Sequence, residues 1–259
     1  MSFLPTLLIS CLLQGGGEYC EMAGENLRFG GGGFYYPHLS SKISNQNAGG
    51  FITLHGRIAP PKGNIQLVGD IDFGFGRGNL TDKMMADFLP NDIKSNSANF
   101  STQMRIKFGA NTYKATSPIY LNAVYSLDSY LSDITSKSGY SRTLQQLGLE
   151  VEGRKALSRK IRLEYGVGYD VVVGGYYRFI ADTSRQDSSV SSYSYSLRGY
   201  VGFSYRIAKR FHYYMRTNLR YESLAKSQSI SVTQGSITKS WHYPKSDNFL
   251  AGLEFGFGF

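Results

Sequence analysis

Apolar and polar residues alternate with a period of two through most of this 259-residue chain, and the alternation falls into ten segments from about residue 25 onward. Ile65, Leu67, Ile71, Phe73 and Phe75 share one face opposite Gln66, Asp70 and Asp72, while Phe100, Thr102, Met104, Ile106 and Phe108 oppose Ser101, Gln103, Arg105 and Lys107. The same rhythm sets Ile161, Leu163, Tyr165, Val167, Tyr169, Val171 and Val173 against Arg162, Glu164, Gly166, Gly168 and Asp170. It also sets Phe211, Tyr213, Met215, Leu219 and Tyr221 against His212, Arg216, Asn218 and Arg220. Successive side chains of a strand point to opposite faces, so each segment is expected to be a β-strand with one greasy and one ionisable side. Less regular strands are expected at 27–36, 51–59, 119–127, 143–152, 193–207 and from about residue 249 to the end.

The links between these segments alternate in length. Short ones fall at 60–63, 113–118, 154–160 and 208–210, and long ones, rich in Ser, Asn, Asp and Lys, at 37–50, 77–99, 128–142, 181–192 and 223–248. Strands joined by tight turns at one end and extended loops at the other describe an all-β, closed antiparallel up-and-down barrel of about ten strands, residues 25–259. Alternation by itself leaves open which face meets solvent, because a soluble barrel or sandwich buries its apolar rows.

Composition narrows that choice. Tyr (20), Phe (16) and Gly (30) are abundant and charged residues make up only 18%, which favours strands and tight turns. The longest apolar run, 3–13, is interrupted by Pro5 and Thr6 and is far shorter than the ~20 residues of a membrane-spanning helix. Residues 1–24 read instead as an export segment, with an apolar core followed by Gly15 to Gly17 and Ala23-Gly24, although no Lys or Arg precedes the core. Leu8-Ile-Ser-Cys11 also resembles a lipobox. Cys11 and Cys20 both precede the strands, so the strand-rich body has no thiol. The formal charge of +9 is dispersed singly or in short turns rather than gathered with stacking aromatics, which argues against nucleic acid and for anionic lipid or lipopolysaccharide nearby. The short turns carry Lys62, Lys114, Arg154, Lys155, Arg159, Lys160, Lys209 and Arg210, a basic rim for anionic headgroups or cell-wall carboxylates. Tyr35, Tyr36, Tyr125, Tyr176, Tyr177, Tyr193, Tyr195 and Tyr221 lie near the long-loop ends and are expected to form a headgroup girdle.

The last strand adds a resemblance. Ala251, Leu253, Phe255, Phe257 and the terminal Phe259 line one face, with Gly252, Glu254, Gly256 and Gly258 on the other. The row from Leu253 to Phe259 resembles the assembly signal of Gram-negative outer-membrane β-barrel proteins. That likeness implies a bacterial outer-membrane location, outer-membrane lipid and lipopolysaccharide as surroundings, the barrel-insertion machinery as partner, and a monomer.

With apolar rows turned to lipid, the enclosed face receives Arg28, His55, Arg57, Asp70, Asp72, Arg105, Lys107, Glu150 and Glu152. Further along it receives Arg162, Glu164, Asp170, Arg198, Arg206, His212, Arg216, Arg220 and Glu254. Both signs are interspersed, and a ten-stranded interior is narrow, so a paired structural network is the first reading and the lining of a gated path the second.

Candidate chemistry is sparse. Asp70-x-Asp72 resembles the Asp pair of omptin proteases, but no Asp lies two residues before any histidine. His38-x-Ser40 has the His-x-Ser spacing of outer-membrane phospholipases and lipid A deacylases, with Ser41 where the phospholipase pattern has Asn. The four histidines lack a metal-ligand spacing, and Gly30 to Gly33 and 74–78 lack the Lys-Ser/Thr ending of a phosphate loop. The expectation is therefore a non-enzymatic barrel without cofactor, whose loops at 77–99 and 223–248 contact an extracellular ligand or surface. A narrow channel is the alternative, and a lipid hydrolase using His38 and Ser40 the third.

Overall fold

A computed structural model describes residues 27–59, 64–83, 93–113, 117–132, 140–180, 182, 184–190, 192–208 and 211–259. All regular structure among them is β. The long strands are β1 (Leu27–Ser40), β2 (Ile43–Ile58), β3 (Ile65–Asp82), β4 (Ile93–Asn111), β5 (Ile119–Leu131), β6 (Tyr140–Ala156) and β7 (Ile161–Phe179). After a three-residue strand, β8 (Asp187–Ser189), come β9 (Tyr195–Ala208), β10 (Phe211–Leu224), a hairpin of β11 (Ile230–Gln234) and β12 (Ile237–Trp241), and β13 (Ser246–Gly258).

Each long strand pairs antiparallel with the next in sequence, and β13 pairs with both β10 and β1, so ten strands close into a barrel. Closure leaves no unpaired long edge, the condition for a sheet to cross a bilayer. β8 extends β7 at the outer end, opposite the end that carries residue 27 and Phe259.

The molecule is inside out. Leu67, Phe73, Val167 and Met215 face outward at 44, 39, 62 and 40% exposure, whereas Lys107 and Glu152 on the enclosed face are 2 and 1% exposed. A soluble barrel would show the reverse, since exposing so many large apolar side chains to water forgoes roughly 1.5–3 kcal/mol apiece. Toward the outer end the apolar belt stops at Tyr35, Phe75 and Phe249. Above it the outward positions become Gln46, Arg77, Asn79 and Asp247.

That boundary corrects the expected long outer loops. In 37–50, β1 runs on to Ser40 and β2 begins at Ile43, leaving a two-residue link closed by the Ser40 hydroxyl, which donates to the Ile43 carbonyl at 2.8 Å and accepts the Ile43 N–H at 2.9 Å. The expected loops at 77–99 and 128–142 likewise begin and end as paired strand. Above the bilayer the outward face turns largely polar while the inward face mixes Asn45, Asn47 and Asn99 with buried Ile43, Leu80 and Tyr140, so the ladder continues where the alternation fades. The link at 223–248 holds the β11–β12 hairpin.

One bulge shifts a register. The β6–β7 ladder slips between Gln145, opposite Gly174, and Gln146, opposite Val172, leaving Val173 as the extra residue; two residues on, Gly175 has φ 151° and a Cβ there would stand 2.5 Å from the Thr143 carbonyl oxygen. Beyond this bulge the faces of β7 exchange parity. Tyr176 and Arg178 point out while Tyr177 and Phe179 point in. Residues 1–24, with Cys11 and Cys20, and the turn residues Lys62, Lys114, Lys209 and Arg210 lie outside the described residues.

Candidate functional site: the lumen and its two closures

The enclosed face collects the ionisable side chains of all ten strands into tiers. At the inner end, Arg28 on β1 donates both guanidinium arms to Glu164 on β7 at 2.8 and 2.6 Å, and Arg162 donates to the same carboxylate at 2.9 Å. Arg57 binds Glu152, which also lies 3.5 Å from Arg154. Lys107 stands 2.7 Å from Glu150, 3.5 Å from Glu152 and 3.6 Å from Asp70, and His55 binds Asp70 directly across the β2–β3 ladder. Arg206 and His212 occupy the same face at this end.

Midway, Arg105 donates to Glu150 at 2.8 Å, Arg198 to Asp170 at 2.6 Å, and Arg216 to Glu254 at 2.7 Å. Tyr214 and Asn218 donate to Glu254 at 2.7 and 3.0 Å. Charges removed from water are tolerated only when paired and hydrogen-bonded, and these pairs supply that. Asp72 is half-buried and has no ion-pair partner among the described residues.

Near the outer end a further tier joins Arg220, expected in the lumen, to Asp128 and Arg142, expected in the 128–142 loop, and to Glu222. Arg220 reaches Asp128 at 2.6 Å and Glu222 at 3.2 Å, and Arg142 lies 3.3 Å from both of those carboxylates. Tyr36 donates its hydroxyl to Glu222 at 3.1 Å and accepts from Arg142 at 3.3 Å. Asp128, Arg142, Glu222 and Arg154 keep the inward parity of Ser126, Gln146, Arg220 and Glu152, a signal open to anyone extending the strands by one or two pairs.

Above this tier sits an aromatic cap. Tyr177 stacks on Tyr243 with ring centres 4.0 Å apart and an 8° tilt, Tyr140 lies 4.7 Å from Tyr243, and Phe179 packs against Trp241 at 5.5 Å. Tyr243 and Trp241 come from the 223–248 link, which therefore turns back into the mouth and buries them. Tyr36 and Tyr177 belong here and not to a headgroup girdle: both are inward and buried, because Tyr35 and Tyr176 beside them take the outward positions. Tyr125 and Tyr193 are exposed on the outer face, with Tyr195 and Tyr221 partly so.

The two enzymatic hints part company with their chemistry. His38 is fully buried in the cap, 2.5 Å from the Tyr243 hydroxyl, while the Ser40 hydroxyl is engaged in its own turn. Asp70 is held by His55 and Lys107 deep in the lumen, and Asp72 lies beside a cavity. This cavity, about 150 Å³, separates the inner tier from the outer one. Phe34, Phe51 and Leu250 face it from one wall, and Arg105, Arg198 and Tyr200 are among the polar side chains around it.

A closed antiparallel barrel with a lipid-facing apolar belt and an ionisable interior is the outer-membrane solution to crossing a bilayer, and the chain is an outer-membrane β-barrel. No protein-family model and no curated protein sequence matches it. Among solved structures it is similar to the translocator domain of the autotransporter NalP from Neisseria meningitidis, with 11% identity, 98% of this chain and 94% of that one covered, and a TM-score of 0.42. The transport unit of the autotransporter AIDA-I from Escherichia coli aligns at 9% identity over 100% and 98% of the two chains with a TM-score of 0.39. The porin NanC aligns at 9% identity over 88% and 98% with a TM-score of 0.34.

Proposed function

We propose that this barrel is a sealed, non-enzymatic scaffold that works at the cell surface, presenting its outer hairpins to an extracellular ligand or surface. What supports the reading is the double closure of the lumen. The inner ion-pair tier and the outer cap, with Arg142 and Glu222 beneath it, are each built from side chains nearly removed from solvent. The β11–β12 hairpin combines a buried root at Trp241 and Tyr243 with a tip, 235–239, that stands in solvent. Residues 1–24 act as the export segment, and Leu253, Phe255, Phe257 and Phe259 as the strand read by the insertion machinery. The mature barrel is a monomer among outer-membrane lipid and lipopolysaccharide.

In planar bilayers the reconstituted protein should show no unitary conductance at any holding potential. Steady open-channel currents from the unaltered chain would remove the sealed-lumen reading in favour of a narrow porin. Replacing tip residues 235–239 by Gly-Ser should leave insertion and heat-modifiable mobility intact while reducing adhesion of cells that display the barrel. Undiminished adhesion would detach function from this hairpin.

A further inference from the structure

Three features of the barrel wall coincide beside the cavity. The first is a break in the β1–β13 ladder. The register runs from Arg28↔Gly258 to Tyr35↔Ala251, is interrupted at Tyr36 and Pro37, and resumes at His38↔Asn248. Pro37 has no N–H to donate, so the seam lacks a rung there. On the other side of the same strand, pairing with β2 continues through both residues. The break lies at the outer margin of the apolar belt, next to exposed Tyr35 and Phe249.

The second feature is an apolar lining on that side of the lumen. Phe34 and Leu250 project inward from the strands flanking the break, and Phe51 from β2. Gly252 leaves room between them, since a Cβ there would meet nothing closer than 3.6 Å, with Phe51 at 3.6 Å and Leu250 at 3.9 Å, while Gly74 stands beside Phe34 with Ser101 closer still.

The third feature, at the foot of this apolar wall, is a carboxylate with no ion pair, hydrogen-bonded by Thr53, beside an unmatched donor. Asp72 lies two residues along β3 from Gly74, about 7 Å at the strand rise, and faces the cavity without an ion pair among the described residues. Arg105 is its diagonal neighbour on β4. Its side chain is nine-tenths buried, and while one terminal nitrogen serves Glu150, its Nε has no protein hydrogen-bond partner.

From this juxtaposition we infer that the cavity is a binding site for a small neutral amphipathic molecule, one ring bearing a hydroxyl, that enters from the outer leaflet through the β1–β13 seam at Pro37. The ring lies against Phe34, Phe51 and Leu250. Its hydroxyl donates to Asp72, a carboxylate with acceptor capacity beyond the Thr53 contact, and accepts from the unmatched Arg105 Nε, so one group bridges the two. A volume of about 150 Å³ suits a single ring. A neutral head also suits passage through a bilayer interface better than a charged one. The route, though not the site, rests on the sealed-lumen reading, which the conductance measurement tests separately.

The test is ¹⁹F NMR of the full barrel in lipid nanodiscs with 4-fluorophenol, and with fluorobenzene and 4-fluorobenzoate as controls. A bound resonance is expected for the phenol alone. Gly252→Leu, which extends a side chain into the cavity from a position with no contact closer than 3.6 Å, should abolish it, while Gly252→Ala should retain it. Asp72→Leu should weaken it about tenfold. No bound resonance, an equal one in Gly252→Leu, or equal binding of fluorobenzene would overturn the site. For the route, Pro37→Cys with Phe249→Cys, in a chain with Cys11 and Cys20 replaced by Ser, staples the seam when oxidised. Exchange of the bound phenol should be at least about tenfold slower in the oxidised form than in the same variant reduced, a comparison that cancels the backbone N–H introduced by Pro37→Cys. Unchanged exchange in the oxidised form would overturn lateral entry.

Discussion

Lys107 shows how much a single lumen side chain carries. Its ammonium is 2% exposed and stands within 3.6 Å of Glu150, Glu152 and Asp70. Removing one partner of a buried ionic cluster costs about 3–5 kcal/mol, because the remaining charges stay buried without compensation. Lys107→Met is expected to destabilise by that amount, read as the shift in urea midpoint in lipid vesicles. A loss under ~1 kcal/mol would mean that Arg57 and Arg105 neutralise the carboxylates alone. At this scale the sequence was partly transparent. Arg105, Lys107, Glu150 and Glu152 could be assigned to one face because apolar residues flank them on β4 and β6. The pairing of His55 with Asp70 was hidden, since it depends on the β2–β3 register and not on spacing along either strand. Tyr35 and Tyr36 cannot both face lipid, being adjacent in one strand, so counting aromatics near strand ends misplaced Tyr36 where parity would have placed it.

The β11–β12 hairpin is the element on which the outer closure depends, and a loop carboxylate ties it down. Asp182 accepts the Ser184 hydroxyl at 2.6 Å, the Ser184 and Gln186 N–H groups at 2.9 and 3.1 Å, and the Thr233 N–H of β11 at 3.2 Å. Burial pushes this carboxyl upward, but the Ser184 hydroxyl and the backbone N–H groups of Gln186, Ser184 and Thr233 outweigh it and hold it below its ordinary range. A carboxyl depressed in the folded state stabilises above its unfolded value and loses that contribution as pH falls through the folded one. The hairpin should therefore loosen below about pH 4. Trp241 is the single tryptophan, so its emission reports the cap directly. A red shift is expected on acidification, and Asp182→Ala should produce it at neutral pH. Constant emission from pH 6 to pH 3 would show that the anchor is dispensable. Nothing in residues 223–248 announced this element as a cap. Trp241 and Tyr243 sit among Ser, Lys and His, and only the volume they fill in the mouth reveals their role.

For the molecule as a whole, depth in the bilayer decides what a substitution costs. Leu149→Arg, at the centre of the belt on β6, is expected to destabilise by about 2–4 kcal/mol, and Asn79→Arg, above it on β3, by ~1 kcal/mol or less, both read as unfolding midpoints in the same vesicles. Similar values at the two positions would mean that the belt is misplaced. The belt was legible from sequence because lipid demands unbroken apolar rows, whereas the strand ends above it meet water outside and a mixed polar and aromatic packing inside, and leave no such trace.

The ties across the lumen also bear on how the barrel comes into being. Arg28 and Glu164 are 136 residues apart and join β1 to β7, Arg57 and Glu152 join β2 to β6, and Arg220 and Asp128 join β10 to β5. An open ribbon of strands holds none of these groups near its mate. The growing sheet must therefore keep its charged side hydrated until it curls shut, when the ties snap together at once and expel the intervening solvent. Completion should be abrupt, with the last stage of assembly the one most sensitive to salt.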